Sequence, residues 1–182
     1  ISLYRNGVQV AQRQVAQAQP SHLGARLLSF DGSDDAVRVP EFAHPTAALT
    51  MAMWMRGGAA VWNSAASVVG KTSGFFLSSV LGTRTLRFEA KIGGVVRAVQ
   101  CTPDDIQAWH HYAGTYDGQM LRLYVDGALA GELACAGAID AGSGPLFIGC
   151  KDTLPTPYFK GQIAGVELWS RARTAAEIAA QR

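Results

Sequence analysis

Apolar and polar residues alternate along much of this chain, and turn dipeptides break the alternation at short intervals. A period of two puts successive side chains on opposite faces, which a strand accommodates and a helix does not. In LRFEAKI, Leu86, Phe88, Ala90 and Ile92 share one face, while Arg87, Glu89 and Lys91 share the other. Gly93 and Gly94 follow, and VVRAVQC then reads as the returning arm of a hairpin. LRLYV alternates again up to Asp126-Gly127, a type I′ turn signal ahead of ALAGELA. Asn6-Gly7, Asp31-Gly32 and Asp117-Gly118 are further turn candidates, and LTMAMWM and GPLFIG are further strands. Short strands separated by Gly-rich turns predict an all-β antiparallel sandwich or barrel rather than βαβ units. One helix is predicted near residues 174–180, where Thr174 and Glu177 form a capping box ahead of good helix formers.

A length of 182 residues suits one domain. Such a chain buries roughly 70% of the surface it exposes when unfolded, so its core needs neither metal nor disulfide. Lys and Arg number 16 against 14 Asp and Glu, a balance that argues against nucleic acid or an anionic membrane as a partner. No apolar run reaches the length of a membrane span. The chain opens on ISLYRNGV, a strand and a turn without the pattern of a signal peptide, as expected of a mature or excised piece of a longer protein. Residues 1–25 read as an N-terminal strand, turn and linker-like segment, with residues 9–19 either a linker or an edge strand. Residues 26–182 read as the domain. Cys101, Cys135 and Cys150 lack CxxC spacing, so they hold one disulfide and a spare thiol, or three small buried side chains.

Residues 109–127, WHHYAGTYDGQMLRLYVDG, hold two histidines, two Asp-Gly pairs and four aromatic rings. Consecutive strand residues point to opposite faces, so His110 and His111 cannot ligate one metal from a regular strand. Asp117 and Asp126 precede glycine, where aspartate bonds its own backbone and tolerates unusual φ. The stretch reads as two strands and their turns.

Blocks FDGSDDAVRVP (residues 30–40), LTMAMWM, WHHYAGTYDGQMLRLYVDG, GPLFIG and FKGQIAGVELWSRARTAAEI (residues 159–178) occur in this order. The succession resembles the laminin-G-like, concanavalin A-like jelly-roll domains of secreted bacterial proteins, over roughly residues 26–180. The resemblance implies a two-sheet sandwich that is extracellular and often appended to glycoside hydrolases, peptidases or adhesins. It also implies one structural calcium, to which the aspartate of FDG, Asp31, contributes. Asp34 and Asp35 with backbone carbonyls would complete the oxygen set. Ala164 in GQIAGVELW stands where the family usually carries a second aspartate.

Glycosidases of this fold carry E-x-D-x-E, and retaining chemistry needs two carboxyls about 5–5.5 Å apart. No two glutamates here lie within four residues of each other, and no nucleophile or metalloprotease motif occurs. The chain therefore reads as a non-catalytic binding module for a polysaccharide or glycan. The alternative is a protein-docking or assembly domain of an adhesin, fibre or multi-domain enzyme. Sugar recognition calls for an exposed aromatic ring with polar groups beside it. Trp54, Trp109 and Trp169 lie in strand blocks and are assigned to the core with Leu121, Leu123, Val125, Phe147 and Ile148, with room for one of the adjacent Phe147/Ile148 pair to face a loop. Trp62, in a loop of small residues beside Asn63, and Tyr158, in a Pro-rich loop with Lys151 and Asp152, are the candidate ligand-binding residues.

Overall fold

A computed structural model describes residues 2–5, 8–12, 27–65, 67–151 and 157–181 of the chain. The N-terminal half contains strands β1 (Ser2–Arg5), β2 (Val8–Gln12), β3 (Leu27–Asp31), β4 (Ala36–Val39), β5 (Leu49–Gly57), β6 (Ser67–Lys71), β7 (Phe75–Ser79) and β8 (Leu86–Ile92). It continues through β9 (Val95–Cys101), β10 (His110–Tyr116), β11 (Met120–Val125), β12 (Ala128–Ala134), β13 (Leu146–Ile148), β14 (Lys160–Trp169) and helix α1 (Ala175–Ala179). The larger sheet has the order β2-β1-β4-β13-β6-β7-β8-β9, and the smaller β12-β11-β10-β5-β14-β3. The strand pairings are antiparallel, as the short Gly-rich connections predict. This is the expected two-sheet sandwich.

The turn chemistry explains the register. Asp126 and Gly127 both adopt positive φ, 49° and 79°, which a two-residue I′ turn requires, and Val125 faces Ala128 across it. Asp117 accepts the amides of Gln119 and Met120 on one carboxylate oxygen and holds the next turn closed. The Asn6-Gly7 turn lies outside the described residues. Of the Gln/Ala-rich stretch, residues 9–12 belong to edge strand β2, and residues 13–26 also lie outside the described residues. The β1–β2 hairpin joins the larger sheet through Ser2↔Arg38, Leu3↔Val37 and Tyr4↔Ala36.

Facing residues of the two sheets form the core. Leu49, Met51, Met53 and Met55 of β5, Tyr112 and Tyr116 of β10, and Leu121 and Leu123 of β11 meet Phe75, Leu77, Leu86 and Phe88 of the larger sheet. The outer face of the smaller sheet carries a second, small core. Ile178 of α1 is buried there against Ala52, Ala113 and Tyr124. Both halves of the capping box are present at Thr174 and Glu177, so the helix begins where predicted. No described helix is long and apolar enough to cross a membrane.

Several core assignments need correction. Leu121, Leu123 and Ile148 are buried, with Phe147 the half-buried member of its adjacent pair, whereas Trp54, Trp109, Trp169 and Val125 are half-buried. The three tryptophans lie on outer faces or at an edge, where they cover neighbours rather than fill the sandwich. The Arg56 guanidinium lies 5.5 Å from the Trp109 ring centroid, and that of Arg173 lies 4.4 Å from Trp169. Cys135 and Cys150 are buried, Cys101 is half-buried, and all three are free thiols. Burial pushes the Cys101 thiol up to about 11, which makes it a poor nucleophile at neutral pH.

A candidate ligand-binding groove

The alternation in β8 that sends Leu86, Phe88, Ala90 and Ile92 into the core sends Arg87, Glu89 and Lys91 to the outer face of the larger sheet. On β7 the same logic places Phe76 and Ser78 outward. Gly70 of β6 lies opposite Phe76. A Cβ on Gly70 would sit 2.0 Å from Phe76 Cδ1, so the ring covers the bare glycine backbone. Phe76 faces Glu89 across the next pairing, and Lys91 faces Val96 of β9. Together they line a groove of about 470 Å³ with Ala65 and Lys151, a size that suits a small ligand.

The polar groups of the groove form a short chain. Ser78 Oγ donates to Glu89 Oε1 at 2.7 Å, and Arg87 Nη1 lies 3.7 Å from the same oxygen. Lys91 Nζ lies 3.8 Å from Asp140 Oδ2, whose carboxylate accepts the Gly94 amide. A half-buried aromatic ring thus lies among a hydroxyl, a carboxylate and cations.

The residues singled out in the sequence separate. Trp62 is 2% exposed and belongs to the core, which corrects the expectation of an exposed platform. Its backbone N–H donates to Thr83 and its carbonyl accepts from Gly82, which turns the side chain inward. There the indole meets Phe159 at 5.9 Å between centroids, in space left by Gly57, where a Cβ would lie 3.0 Å from Trp62 Cζ3. The Gly57-Gly58 pair ahead of the loop is the sequence signal for that space. Asn63 is exposed, but Nδ2 donates to the Tyr158 carbonyl at 3.2 Å and Oδ1 accepts the Lys160 amide at 3.1 Å. With Ser64 Oγ, which donates to the same carbonyl, it clamps one loop to the other. Tyr158 is half-buried beside this clamp. Lys151 reaches the groove, and Asp152 lies outside the described residues.

Asp31, Asp34 and Asp35, to which the resemblance assigns a calcium, lie at the turn that follows β3. Asp31 Oδ1 accepts the Ser33 amide at 2.7 Å, and Asp35 Oδ2 accepts the Asp31 amide at 3.0 Å, as turn-forming aspartates do. Among the described residues no three His, Cys, Asp or Glu side chains gather to hold a metal. Ala164 is 1% exposed in β14, between Leu27 and Trp54, an apolar position rather than a ligand position.

The two histidines lie on opposite faces. His110 Nδ1 lies 2.6 Å from Asp126 Oδ2, and Nε2 lies 2.7 Å from the Asp105 carbonyl. Both partners are acceptors, so the protonated ring, with an N–H on each nitrogen, satisfies both contacts. Burial pulls its pKa down, but the hydrogen bonds and charges of Asp126 and Asp105 outweigh it, and the net direction is upward. His111 is buried against Trp54 on the other face, and burial holds its pKa low. This pair is architecture, as the strand geometry predicts.

The family of concanavalin A-like lectin/glucanases matches the chain over residues 31–179. The chain belongs to the concanavalin A-like lectin/glucanases superfamily. Solved structures of similar fold include the heptameric SAP-like pentraxin of Limulus polyphemus. It is 18% identical with a TM-score of 0.61, covering 84% of this chain and 79% of that one. Domain 4 of AbnA, a GH43 extracellular arabinanase from Geobacillus stearothermophilus solved with arabinotriose, is 14% identical with a TM-score of 0.62, covering 84% and 74%. The receptor binding domain of botulinum neurotoxin mosaic serotype C/D is 10% identical with a TM-score of 0.69. That likeness covers 98% of this lectin-like domain, which spans 48% of the toxin fragment. At these identities the likeness is one of fold. No curated protein matches the domain in sequence.

Proposed function

We propose that this domain is a non-catalytic, extracellular glycan-binding module whose site is the groove on the outer face of the larger sheet. The carrying observation is Phe76, a half-buried ring in the groove wall beside Ser78, Arg87, Glu89 and Lys91. An aromatic face takes the CH face of a sugar, and the surrounding polar groups take its hydroxyls. The arabinotriose complex of the arabinanase domain supports the class, since that domain of similar fold was solved with an oligosaccharide bound. Among the described residues Glu89 is the one carboxylate in the groove lining, and it is bonded to Ser78. Retaining glycoside hydrolysis uses two, so recognition suits the groove better than cleavage.

A glycan array followed by titration calorimetry tests the reading. Phe76→Leu keeps an apolar cover over Gly70 while removing the aromatic face. Loss of stacking worth about 1–1.5 kcal/mol corresponds to roughly tenfold weaker binding. Unchanged affinity in Phe76→Leu would move the site elsewhere. A protein-docking role is favoured by Val95 and Val96 on β9 and Leu129 and Leu133 on β12. These exposed apolar residues lie on the edge strands of the two sheets. In that case the array stays blank.

A further inference from the structure

We infer that the glycan recognised by this groove is uncharged and that its hydroxyls seat between the members of two ion pairs, an inference that rests on the groove being the glycan site. The charges of the groove wall are met within the protein. Arg87 Nη1 lies 3.7 Å from Glu89 Oε1, and Lys91 Nζ lies 3.8 Å from Asp140 Oδ2. Lys151 is engaged as well. A ligand therefore meets ion pairs rather than a field of one sign.

Both pairs are held in place by their surroundings. Glu89 Oε1 also accepts the Ser78 hydroxyl at 2.7 Å. The Asp140 amide donates to the Lys91 carbonyl at 2.7 Å, and its carboxylate accepts the Gly94 amide at 3.0 Å. A charged ligand has to disturb this arrangement. An acidic sugar that draws Arg87 or Lys91 to itself brings its charge beside Glu89 or Asp140. An amino sugar that draws the carboxylates brings its charge beside the cations. Either juxtaposition of like charges opposes binding.

A hydroxyl meets no such opposition. It has one hydrogen to donate and lone pairs to accept with, so it can accept from the cation and donate to the carboxylate of the same pair. At 3.7 and 3.8 Å the paired nitrogens and oxygens lie beyond direct hydrogen-bond distance, which leaves room for a hydroxyl to bond both. The Arg87 and Lys91 side chains keep 45% and 36% of their surface in solvent, so a ligand can reach them. Phe76 pairs with Glu89, midway between these two cations, which are about 13 Å apart at strand rise. A saccharide lying along β8 would set a CH face on the ring and hydroxyls at the ion pair on either side.

The test reads a glycan array carrying neutral, acidic and amino saccharides, then titrates the tightest hit by calorimetry at low and at high sodium chloride. The tightest hits should be neutral, and salt should change their affinity less than about twofold, since the ligand carries no charge to screen. Glu89→Gln should weaken the neutral hit about fivefold by removing the charged acceptor. The same variant leaves Arg87 without its carboxylate and should bind polygalacturonate more tightly than the native domain does. A merely structural role for Glu89 would weaken every ligand alike. Phe76→Leu must weaken the neutral hit, which locates it in the groove. Acidic or amino saccharides bound as tightly as neutral ones, or native affinities in Glu89→Gln, overturn the uncharged inference and leave the glycan reading standing. A neutral hit indifferent to Phe76→Leu moves the site elsewhere and takes this inference with it, and a blank array overturns both readings.

Discussion

The Trp62 indole fills space between Phe159, Ile106 and the bare backbone of Gly57, so its removal leaves a cavity. Trp62→Ala should cost about 3–5 kcal/mol in denaturant unfolding. Trp62→Phe should cost less than half of that, because the indole Nε1 has no hydrogen-bond partner among the described residues to lose. Equal costs for both substitutions would show that the ring fills no specific space. His110 makes a prediction of opposite character. Its folded pKa is raised, so its stabilisation is fully present below the unfolded value near 6.5 and is lost as pH rises through the higher folded value. The difference in Tm between the native chain and His110→Gln should therefore be larger at pH 6 than at pH 9. Comparing the two proteins isolates this effect from His44 and His111, whose pKa values are lowered by burial and which destabilise as pH falls. A pH-independent difference would place the ring outside the Asp126–Asp105 bracket. Neither role is written at the residue itself. The Trp62 neighbours are small and polar, and Asp105 reaches His110 only because a loop returns to the strand.

At the level of elements, β10 shows how two sheets achieve close approach. Gly114 lies where the Phe88 ring crosses the interior, and a Cβ there would lie 2.5 Å from Phe88 Cδ2. Gly114→Ala should cost about 1–3 kcal/mol through overpacking, measured by thermal unfolding. Adding Phe88→Leu should recover part of the loss, whereas strictly additive losses would locate the strain elsewhere. The β8–β9 hairpin was legible in full: its alternation, its Gly93-Gly94 turn at φ 58° and 80°, and its polar face appear as read. So was the helix start, since a capping box is a local hydrogen-bond device. The groove was legible only in part. Arg87, Glu89 and Lys91 could be assigned to one outward face from β8 alone. Their proximity to Phe76 and Lys151 depends on pairings with β7 and on a loop far along the chain.

For the molecule as a whole, the sandwich holds together on apolar contacts between two extensive sheets, with free thiols and turn-forming aspartates at its margins. Treatment with a chelator should leave Tm unchanged, and a downward shift would reveal calcium bound by groups other than a clustered carboxylate set. The β1–β2 hairpin extends the larger sheet beyond β4, so the sheet that carries the groove spans most of the chain length, from β1 to β13.

Periodicity and turn chemistry are local, and they determined the antiparallel all-β class, the β8–β9 hairpin and the helix cap, while the two-sheet sandwich was what the family resemblance implied. A period of two shows which residues share a face, but not which face meets the other sheet or what lies across it. That decision belongs to the tertiary structure, because burial depends on contacts between segments distant in sequence. Close packing around Gly57 drew Trp62 inward, and the order β6-β7-β8-β9 set Phe76 beside Glu89, between Arg87 and Lys91.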